Sequence, residues 1–247
     1  TGGRIHVLDR AKAMVRLGDS TLHKGVLAPA VFRRGLDALK ALRRIADRHK
    51  VDALVAVATS AVREAQNGGE FVRAARDEAG IDIRVIRGDE EARLIYLGAR
   101  SSLSLGKRRV ALFDLGGGSL EVILADAQEL YFASSLKLGV IRLTEACPVS
   151  DPPTPRERAQ LAERARSVLE PVIARVRAMG FDFAALTSGT ASALAGLLGI
   201  ERERAASQRT TTLPFKALAE LERKLGAMRS ADRARLPGLD ARRSDTI

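Results

Sequence analysis

A run of three consecutive glycines, in the segment FDLGGGSLEV from Phe113 to Val122, constrains this chain more than any other feature. The apolar stretches on either side predict two strands, Arg109 to Leu115 and Leu120 to Ala125, joined by a tight turn without side chains. Backbone amides in such a turn can approach a phosphate closely. Because the turn joins two strands, it fits neither a Walker loop nor a dinucleotide fingerprint, whose glycines open a helix. Taken alone, the segment is equally consistent with a plain glycine hairpin.

Two carboxylates bracket these glycines, with Asp114 at the end of the first strand and Glu121 beyond the turn. Carboxylate oxygens are the ligands that a hard divalent cation prefers. This pair therefore predicts a metal site, and two solvated acids are the alternative that the residues leave open.

Two further turns have related chemistry. The predicted strand Phe183 to Thr187 is followed by SerGlyThr at 188–190 and then by a small, apolar helix. The predicted strand Ala53 to Ala58 is followed by Thr59 and Ser60, with Arg63 one turn later. Free amides at the start of a helix favour an anion, although the same residue types also cap ordinary helices. Three such turns together favour phosphate binding.

Hydrophobic periodicity predicts alternating strands and helices along most of the chain. The other predicted strands are Ile5–Asp9, Ala13–Leu17, Ile83–Ile86 and Leu130–Leu136. The predicted helices are Pro29–Lys50, Gly69–Ala79, Glu90–Leu103, Pro155–Met179, one after Thr190, Phe215–Ala227 and Ser230–Arg235. This alternation is typical of α/β packing, in which helices cover the faces of a sheet.

Five blocks occur in an order and at spacings that resemble one known family. They are ATSAVREAQNGGEFV from Ala58, GDEEARLIYLG from Gly88, FDLGGGSLEV from Phe113, SLKLGVIRLTE from Ser135 and TSGTASALAGL from Thr187. Together they resemble the exopolyphosphatase and guanosine pentaphosphate phosphohydrolase family of the actin, sugar kinase and heat-shock ATPase superfamily. The resemblance covers essentially the whole chain.

The resemblance implies an α/β fold of two actin-like (ribonuclease H-like) domains, each with a mixed sheet flanked by helices. We expect residues 1–108 to form a partial first domain and residues 109–247 the second domain. The resemblance also implies truncation at both ends. The family's first phosphate loop is missing before Thr1, and ArgArgSerAspThrIle begins a closing helix that is cut after Ile247.

For the reaction, the resemblance implies Mg2+-assisted attack of water on a terminal phosphoanhydride in a cleft between the domains. Glu91 matches the general base, with Glu90 as the local rival and helix capping as the alternative for both. Glu121 is implied as a second catalytic residue and, with Asp114, as a metal ligand. Arg63 is implied as a catalytic phosphate clamp. The implied substrate-binding residues are Thr59, Ser60, Gly116, Gly117, Gly118, Ser119, Ser188, Gly189 and Thr190.

The net charge of +11 and the pI near 10.6 indicate an attraction to polyanions. With seven Phe, two Tyr and no Trp, the chain has little with which to stack bases, so no specific nucleic acid is expected. The single cysteine excludes an internal disulfide. No apolar run approaches the roughly 20 residues that cross a bilayer, and we expect a cytoplasmic protein without a membrane partner.

Polyphosphate and guanosine pentaphosphate are both expected as partners, and the sequence does not choose between them. A homodimer is consistent with the resemblance. Two other functions stay open: a superfamily kinase or ATPase that holds ATP with the same turns, and a non-catalytic fragment that binds polyanions.

Overall fold

The structure is a computed structural model that describes residues 6–19, 21–200 and 210–247. The elements of its first part are α1 (Thr21–Lys24), α2 (Pro29–Arg48), β1 (Ala56–Ala58), α3 (Ser60–Glu64), α4 (Gly68–Ala79), β2 (Ile83–Val85) and α5 (Gly88–Arg100). The elements that follow are β3 (Val110–Leu115), β4 (Leu120–Ala125), β5 (Leu130–Leu136), α6 (Val140–Ala146), α7 (Pro155–Met179), β6 (Phe183–Thr187), α8 (Ser188–Leu197), α9 (Phe215–Gly226) and α10 (Ser230–Arg233). A 3₁₀ turn, Ala241–Arg243, lies near the C-terminus.

The larger sheet has four strands in the order β5-β4-β3-β6. Strand β4 pairs antiparallel with both β3 and β5, whereas β6 pairs parallel with β3. Helices cover both faces, and for this reason all six residues of β4 are buried. One face packs on α5 and the other on α7.

The two cores of this sheet follow from the alternation of side chains along each strand. The core on the α5 side contains Ala92, Tyr96, Ala99, Leu105, Val110, Leu112, Ile123 and Ala125. The core on the α7 side contains Ala111, Leu120, Val122, Leu124, Leu138 and Val176. Asp114 and Glu121 have the parity of Leu112 and Ile123, so the sheet directs both carboxylates toward the side of α5.

The smaller sheet contains only β1 and β2, which pair in parallel with Val57 opposite Arg84. Its helices α2 and α4 pack on each other around Leu36 and Phe71, and the rings of Phe32 and Phe71 meet edge to face at 5.1 Å. The strands are less well covered than those of the larger sheet, since Val57 is 45% exposed.

Most predicted elements are confirmed. Strands β4, β5 and β6 and helix α7 begin and end where the sequence predicts, and β1 starts at Ala56 rather than Ala53. Short helices α1 and α6 were not predicted. The α/β class with mixed sheets flanked by helices is confirmed.

Both strands predicted at the N-terminus are wrong. Residues 6–9 and 13–17 form no strand, and Ile5 lies outside the described residues. The side chains of residues 6–13 are exposed, and no described strand pairs with this segment. Alternation alone does not make a strand where no partner accepts its hydrogen bonds.

The segment predicted to begin a closing helix is also different. It forms the 3₁₀ turn at Ala241–Arg243 and a further turn through Thr246, held by bonds between residues three apart, such as Arg243 N to Asp240 O at 2.8 Å. Asp240 caps the turn by accepting from the amide of Arg242.

Helix α5 lies before the predicted domain boundary at residue 109, yet its buried face packs on the larger sheet. The division into domains at this residue stays a prediction. None of the helices in the described ranges combines the length and the apolar character needed to span a membrane.

Candidate active site

Strand register brings two of the predicted carboxylates together. Asp114 and Glu121 are directly opposite each other in the antiparallel pair of β3 and β4. Both project toward the side of α5, whose first turn carries Glu91. Asp114 is also opposite Thr187 on β6, and the hydroxyl of Thr187 donates to its carboxylate.

Glu121 is an unusual residue for a strand interior because it is only 1% exposed. The hydroxyl of Ser135 donates to its Oε1 at 2.7 Å. Burial raises the pKa of Glu121, the Ser135 bond opposes that shift, and the nearby charges of Glu91 and Asp114 raise it further. Within the described ranges no Lys, Arg or His forms an ion pair with it.

Arg63 links the smaller sheet to Glu91. Its Nη1 donates to the carbonyl of Ile86 at 2.8 Å and to Oε2 of Glu91 at 3.2 Å. Both side chains are largely buried, with 25% and 14% of their surface exposed. The planar guanidinium therefore holds the loop before α5 and the predicted general base in one geometry.

The start of α5 lies directly against β5. A Cβ added to Gly88 would lie 2.6 Å from the Cβ of Ser135, which is the residue that hydrogen-bonds Glu121. Close approach at Gly88 therefore connects the helix of Glu91 to the partner of Glu121. The three predicted catalytic residues, Arg63, Glu91 and Glu121, belong to one continuous set of contacts.

The glycine turn is fixed by its carbonyl groups. The amides of Val140 and Ile141, at the start of α6, donate to the carbonyls of Gly116 and Gly117 at 3.0 and 2.9 Å. Nε of Arg142 donates to the carbonyl of Gly118 at 2.8 Å. In the part of the chain that the structure describes, the amides of Gly117 and Gly118 donate to no protein atom.

Close packing at the neighbouring Gly139 maintains this arrangement. A Cβ on Gly139 would overlap the carbonyl of Gly117 and the amide of Gly118. The backbone of the turn and the backbone before α6 are thus in direct contact.

The turn at residues 188–190 is tied to the end of β3. The hydroxyls of Ser188 and Thr190 both donate to the carbonyl of Leu115, at 3.0 and 3.1 Å. Ser188 has a φ of +86°, a conformation that a residue with a side chain seldom adopts outside constrained sites.

One cavity of about 500 Å³ joins the three predicted turns. Its lining includes Thr59, Ser60, Gly116, Gly117, Gly118, Ser188, Gly189 and Thr190. The remaining predicted residues do not line it. Arg63, Glu91, Asp114, Ser119 and Glu121 lie in the adjacent carboxylate network or at the end of the glycine turn, where Ser119 opposes the rise in the pKa of Glu121.

Sequence reasoning missed two arginines on the wall of this cavity, Arg242 and Arg243. The guanidinium of Arg243 lies against Gly189, where any Cβ would meet it. In the described ranges Arg243 has no ion-pair partner, whereas Arg242 pairs with Asp240 at 2.7 Å. The sequence places Arg243 only in the segment expected to begin a closing helix, and its side chain reaches the turn at Gly189 through tertiary folding.

No three His, Cys, Asp or Glu side chains in residues 6–19, 21–200 and 210–247 come together as a preformed metal centre. Asp114 and Glu121 nevertheless offer opposed oxygen donors, and Glu121 is a buried acid without a cationic partner. Their donor chemistry fits a hard divalent cation.

Comparison with known proteins identifies the family of this chain. The model of the Ppx/GppA phosphatase family matches residues 1–247. Exopolyphosphatase 1 of Mycobacterium tuberculosis is 33% identical over 247 residues, which are all of this chain and 72% of the relative.

Two solved structures are similar to this chain. One is an exopolyphosphatase from Cytophaga hutchinsonii, with a TM-score of 0.90, 29% identity, and coverage of 98% of this chain and 78% of that protein. The other is the Ppx/GppA family member of Aquifex aeolicus, with a TM-score of 0.75, 26% identity, and coverage of 94% and 74%. The chain therefore belongs to the Ppx/GppA phosphatase family, and it is a hydrolase with the actin-like fold of that family.

Proposed function

We propose that this protein is an exopolyphosphatase, which releases orthophosphate from the end of inorganic polyphosphate by attack of water in a cleft between two domains. One observation carries the proposal: three turns with phosphate-binding chemistry line a single cavity, beside a network of three carboxylates and an arginine. Relatives named exopolyphosphatase support polyphosphate as the substrate.

Glu91 acts as the general base in this proposal. It accepts the proton of the attacking water as the new phosphorus–oxygen bond forms, while the bond to the bridging oxygen breaks and the shortened chain leaves. Arg63 fixes the orientation of Glu91 through their contact of 3.2 Å. We also propose that the rest of the Arg63 guanidinium binds a phosphate oxygen while that orientation is kept.

The three turns bind the phosphate oxygens. The amides of Gly117 and Gly118 are directed away from the bonded carbonyls and serve as donors. The other two turns contribute Thr59, Ser60, Ser188, Gly189 and Thr190. Because the hydroxyls of Ser188 and Thr190 already donate to the carbonyl of Leu115, these two residues shape their turn, while the hydroxyls of Thr59 and Ser60 and the amide of Gly189 serve as donors. Ser119 and Gly116 complete the glycine turn. The guanidinium of Arg243 supplies positive charge at the same wall.

We further propose Mg2+ as the cofactor, held by Asp114 and Glu121. When bound, Mg2+ neutralises negative charge on the phosphate oxygens. This assignment depends on the opposed register of the two carboxylates and on the burial of Glu121.

Guanosine pentaphosphate is the second substrate in the proposal. Its terminal phosphoanhydride is chemically equivalent, and Leu39, Leu42 and Val57 give one side of the cavity an apolar wall against which a nucleobase can pack. The family resemblance also leads us to propose that the protein is cytoplasmic and forms a homodimer. Sedimentation analysis tests the homodimer.

The first test measures orthophosphate release from polyphosphate, guanosine pentaphosphate and ATP in the presence of Mg2+. Glu91→Gln removes the base and should lower kcat by about 10²- to 10⁴-fold. Glu90→Gln is the matched control and should leave kcat nearly unchanged. Glu90 belongs to the same helical turn as Glu91, but it pairs with Arg84. Full activity of Glu91→Gln would show that the base is assigned wrongly.

A second variant tests the buried acid. Glu121→Gln should lower kcat by at least about 10²-fold, by analogy with the loss of other charge-stabilising groups. It should keep or raise the free energy of unfolding, because burial disfavours the ionised form of Glu121.

Tight ATP binding by the parent protein would favour a kinase or ATPase, and salt-sensitive polyphosphate binding without release would favour a polyanion-binding fragment.

A further inference from the structure

Two of the turns that line the cavity come from different sheets. The glycine turn belongs to the larger sheet, whereas Thr59 and α3 follow the short strand β1 of the smaller sheet. No strand pairing joins the two sheets in the part of the chain that the structure describes. Contacts between elements, rather than strand pairing, therefore set the distance between these turns.

Arg142, on α6, contacts the glycine turn and the end of α3 with one guanidinium group. Its Nε donates to the carbonyl of Gly118 at 2.8 Å. Its Nη2 lies 2.8 Å from both carboxylate oxygens of Glu64, the last residue of α3. The side chains of Arg142 and Glu64 are 17% and 23% exposed, so the pair is largely withdrawn from solvent.

Each partner is rigidly attached to one part of the site. Arg142 also donates its amide to the carbonyl of Gly117 at 3.2 Å, so its backbone is anchored to the glycine turn. Glu64 directly follows Arg63, whose guanidinium contacts Glu91. A displacement of Glu64 relative to Arg142 is thus a displacement of Arg63 relative to the glycine turn.

We propose that Glu64 and Arg142 are a positioning pair, which sets the separation between the phosphate-binding glycine turn and the Arg63–Glu91 contact. The inference rests on the proposed function for its effect on turnover, and neither side chain is assigned a contact with substrate. An arginine suits this position because its planar fork of donors can engage a carbonyl and a carboxylate simultaneously. Lys137 is a weaker second partner, with Nζ 3.5 Å from Glu64 and 76% of its side chain exposed.

The test compares Arg142→Gln, Glu64→Gln and the double variant with the parent protein. Steady-state release of orthophosphate from polyphosphate gives kcat and KM, and amide hydrogen exchange is followed at residues 59–64 and 116–119. Each single variant should lower kcat by about 10- to 100-fold, as expected for a misplacement of about 1 Å, and should accelerate exchange in both segments. The double variant should lose no more than Arg142→Gln alone, because both residues act through one contact.

Two controls separate positioning from general stability. Arg142→Lys keeps the positive charge but cannot engage both partners at once. Compared with Arg142→Gln, it should restore thermal stability but recover only part of the lost kcat. Arg166→Gln removes an exposed ion pair with Glu163 on α7 and should change neither kcat nor exchange in the two segments.

Failure of this inference and failure of the proposed function give different results. If the parent protein releases phosphate and the single variants keep its kcat and its exchange pattern, the positioning pair is wrong and the proposed function stands. If the parent protein releases no phosphate but both segments exchange faster in each single variant, the positioning pair stands and the proposed function is wrong. Losses of kcat that add fully in the double variant would also overturn the pair.

Discussion

The two sheets hold their parts of the site in different ways. The larger sheet is covered on both faces, and even the acid Glu121 within β4 is only 1% exposed. The smaller sheet has two strands of three residues each, with Val57 and Val85 45% and 40% exposed. Strand register fixes Asp114 and Glu121 in the first case, whereas side-chain contacts fix Arg63 in the second.

This contrast indicates that backbone changes in the larger sheet and side-chain changes at the smaller sheet have unequal effects. A residue fixed by register moves only if the sheet itself is disturbed. A residue held by a few polar contacts moves when one of them is removed. Four predictions sharpen this comparison, and the largest expected effect comes first.

Gly139→Ala should be the most damaging change in the larger sheet's region. The new Cβ would overlap backbone atoms of Gly117 and Gly118, which cannot move away as a flexible side chain can. We expect a loss of about 3 kcal/mol or more in the free energy of unfolding, at the upper end for overpacking, together with loss of phosphate release. Chemical denaturation and an activity assay measure the two effects.

Gly98→Ala is the matched control for that substitution. Gly98 is exposed within α5, and an added Cβ meets no atom within 4 Å. Alanine there should stabilise the helix by about 0.5–1 kcal/mol. Equal tolerance of both substitutions would contradict the close packing at Gly139.

Valine truncation compares the two sheets directly. Val122→Ala removes a fully buried side chain from β4, and Val57→Ala removes a 45% exposed one from β1. We expect losses of about 2 kcal/mol for Val122→Ala and below about 0.5 kcal/mol for Val57→Ala. Urea unfolding of both variants measures the difference, and a larger loss at Val57 would reverse the ranking of the two sheets.

The smallest expected effect concerns the N-terminus of α7, which covers one face of the larger sheet. Thr154 and Glu157 form a capping box there, in which Thr154 N donates to Glu157 Oε2 at 2.7 Å. Thr154→Ala should lower the free energy of unfolding by about 1 kcal/mol. Ser167→Ala, on the exposed side of the same helix, should change it much less.

The same cap predicts a dependence on pH. Hydrogen bonds from Ser150 and Thr154 lower the pKa of Glu157 to about 2. The pKa of Glu in an unfolded chain is about 4.3, so the ionised Glu157 stabilises the folded state fully above about pH 4.3. This stabilisation is lost as the pH falls toward 2. Thermal unfolding of Glu157→Gln between pH 5 and about 2 should lack this part of the slope, and an unchanged slope would mean that the cap does not titrate.

Much of the larger sheet could be predicted from the sequence because its periodicity is strong. Strands β4, β5 and β6 are apolar runs bounded by turns, and their predicted limits are confirmed. The region of residues 6–17 misled the same reasoning, because alternation does not reveal whether a partner strand exists. Helix α6 has only seven residues and carries no cap or periodicity that identifies it.

The site was predictable only in part for a related reason. Motifs identify the three turns, and they lie together on one cavity. The contacts of Arg142 with Glu64, 78 residues away, and of Arg243 with Gly189 depend on tertiary folding. Local sequence does not encode which arginine meets which turn.

The bonded carbonyls of the glycine turn have a consequence for the energetics of catalysis. Since α6 and Arg142 hold these carbonyls, the amides of Gly117 and Gly118 need no reorganisation for the phosphate binding that we propose for them. The entropic cost of aligning these dipoles is met when the chain folds and is not repeated in each turnover. In the proposed function, the protein thus supplies a preorganised electrostatic field before any substrate binds.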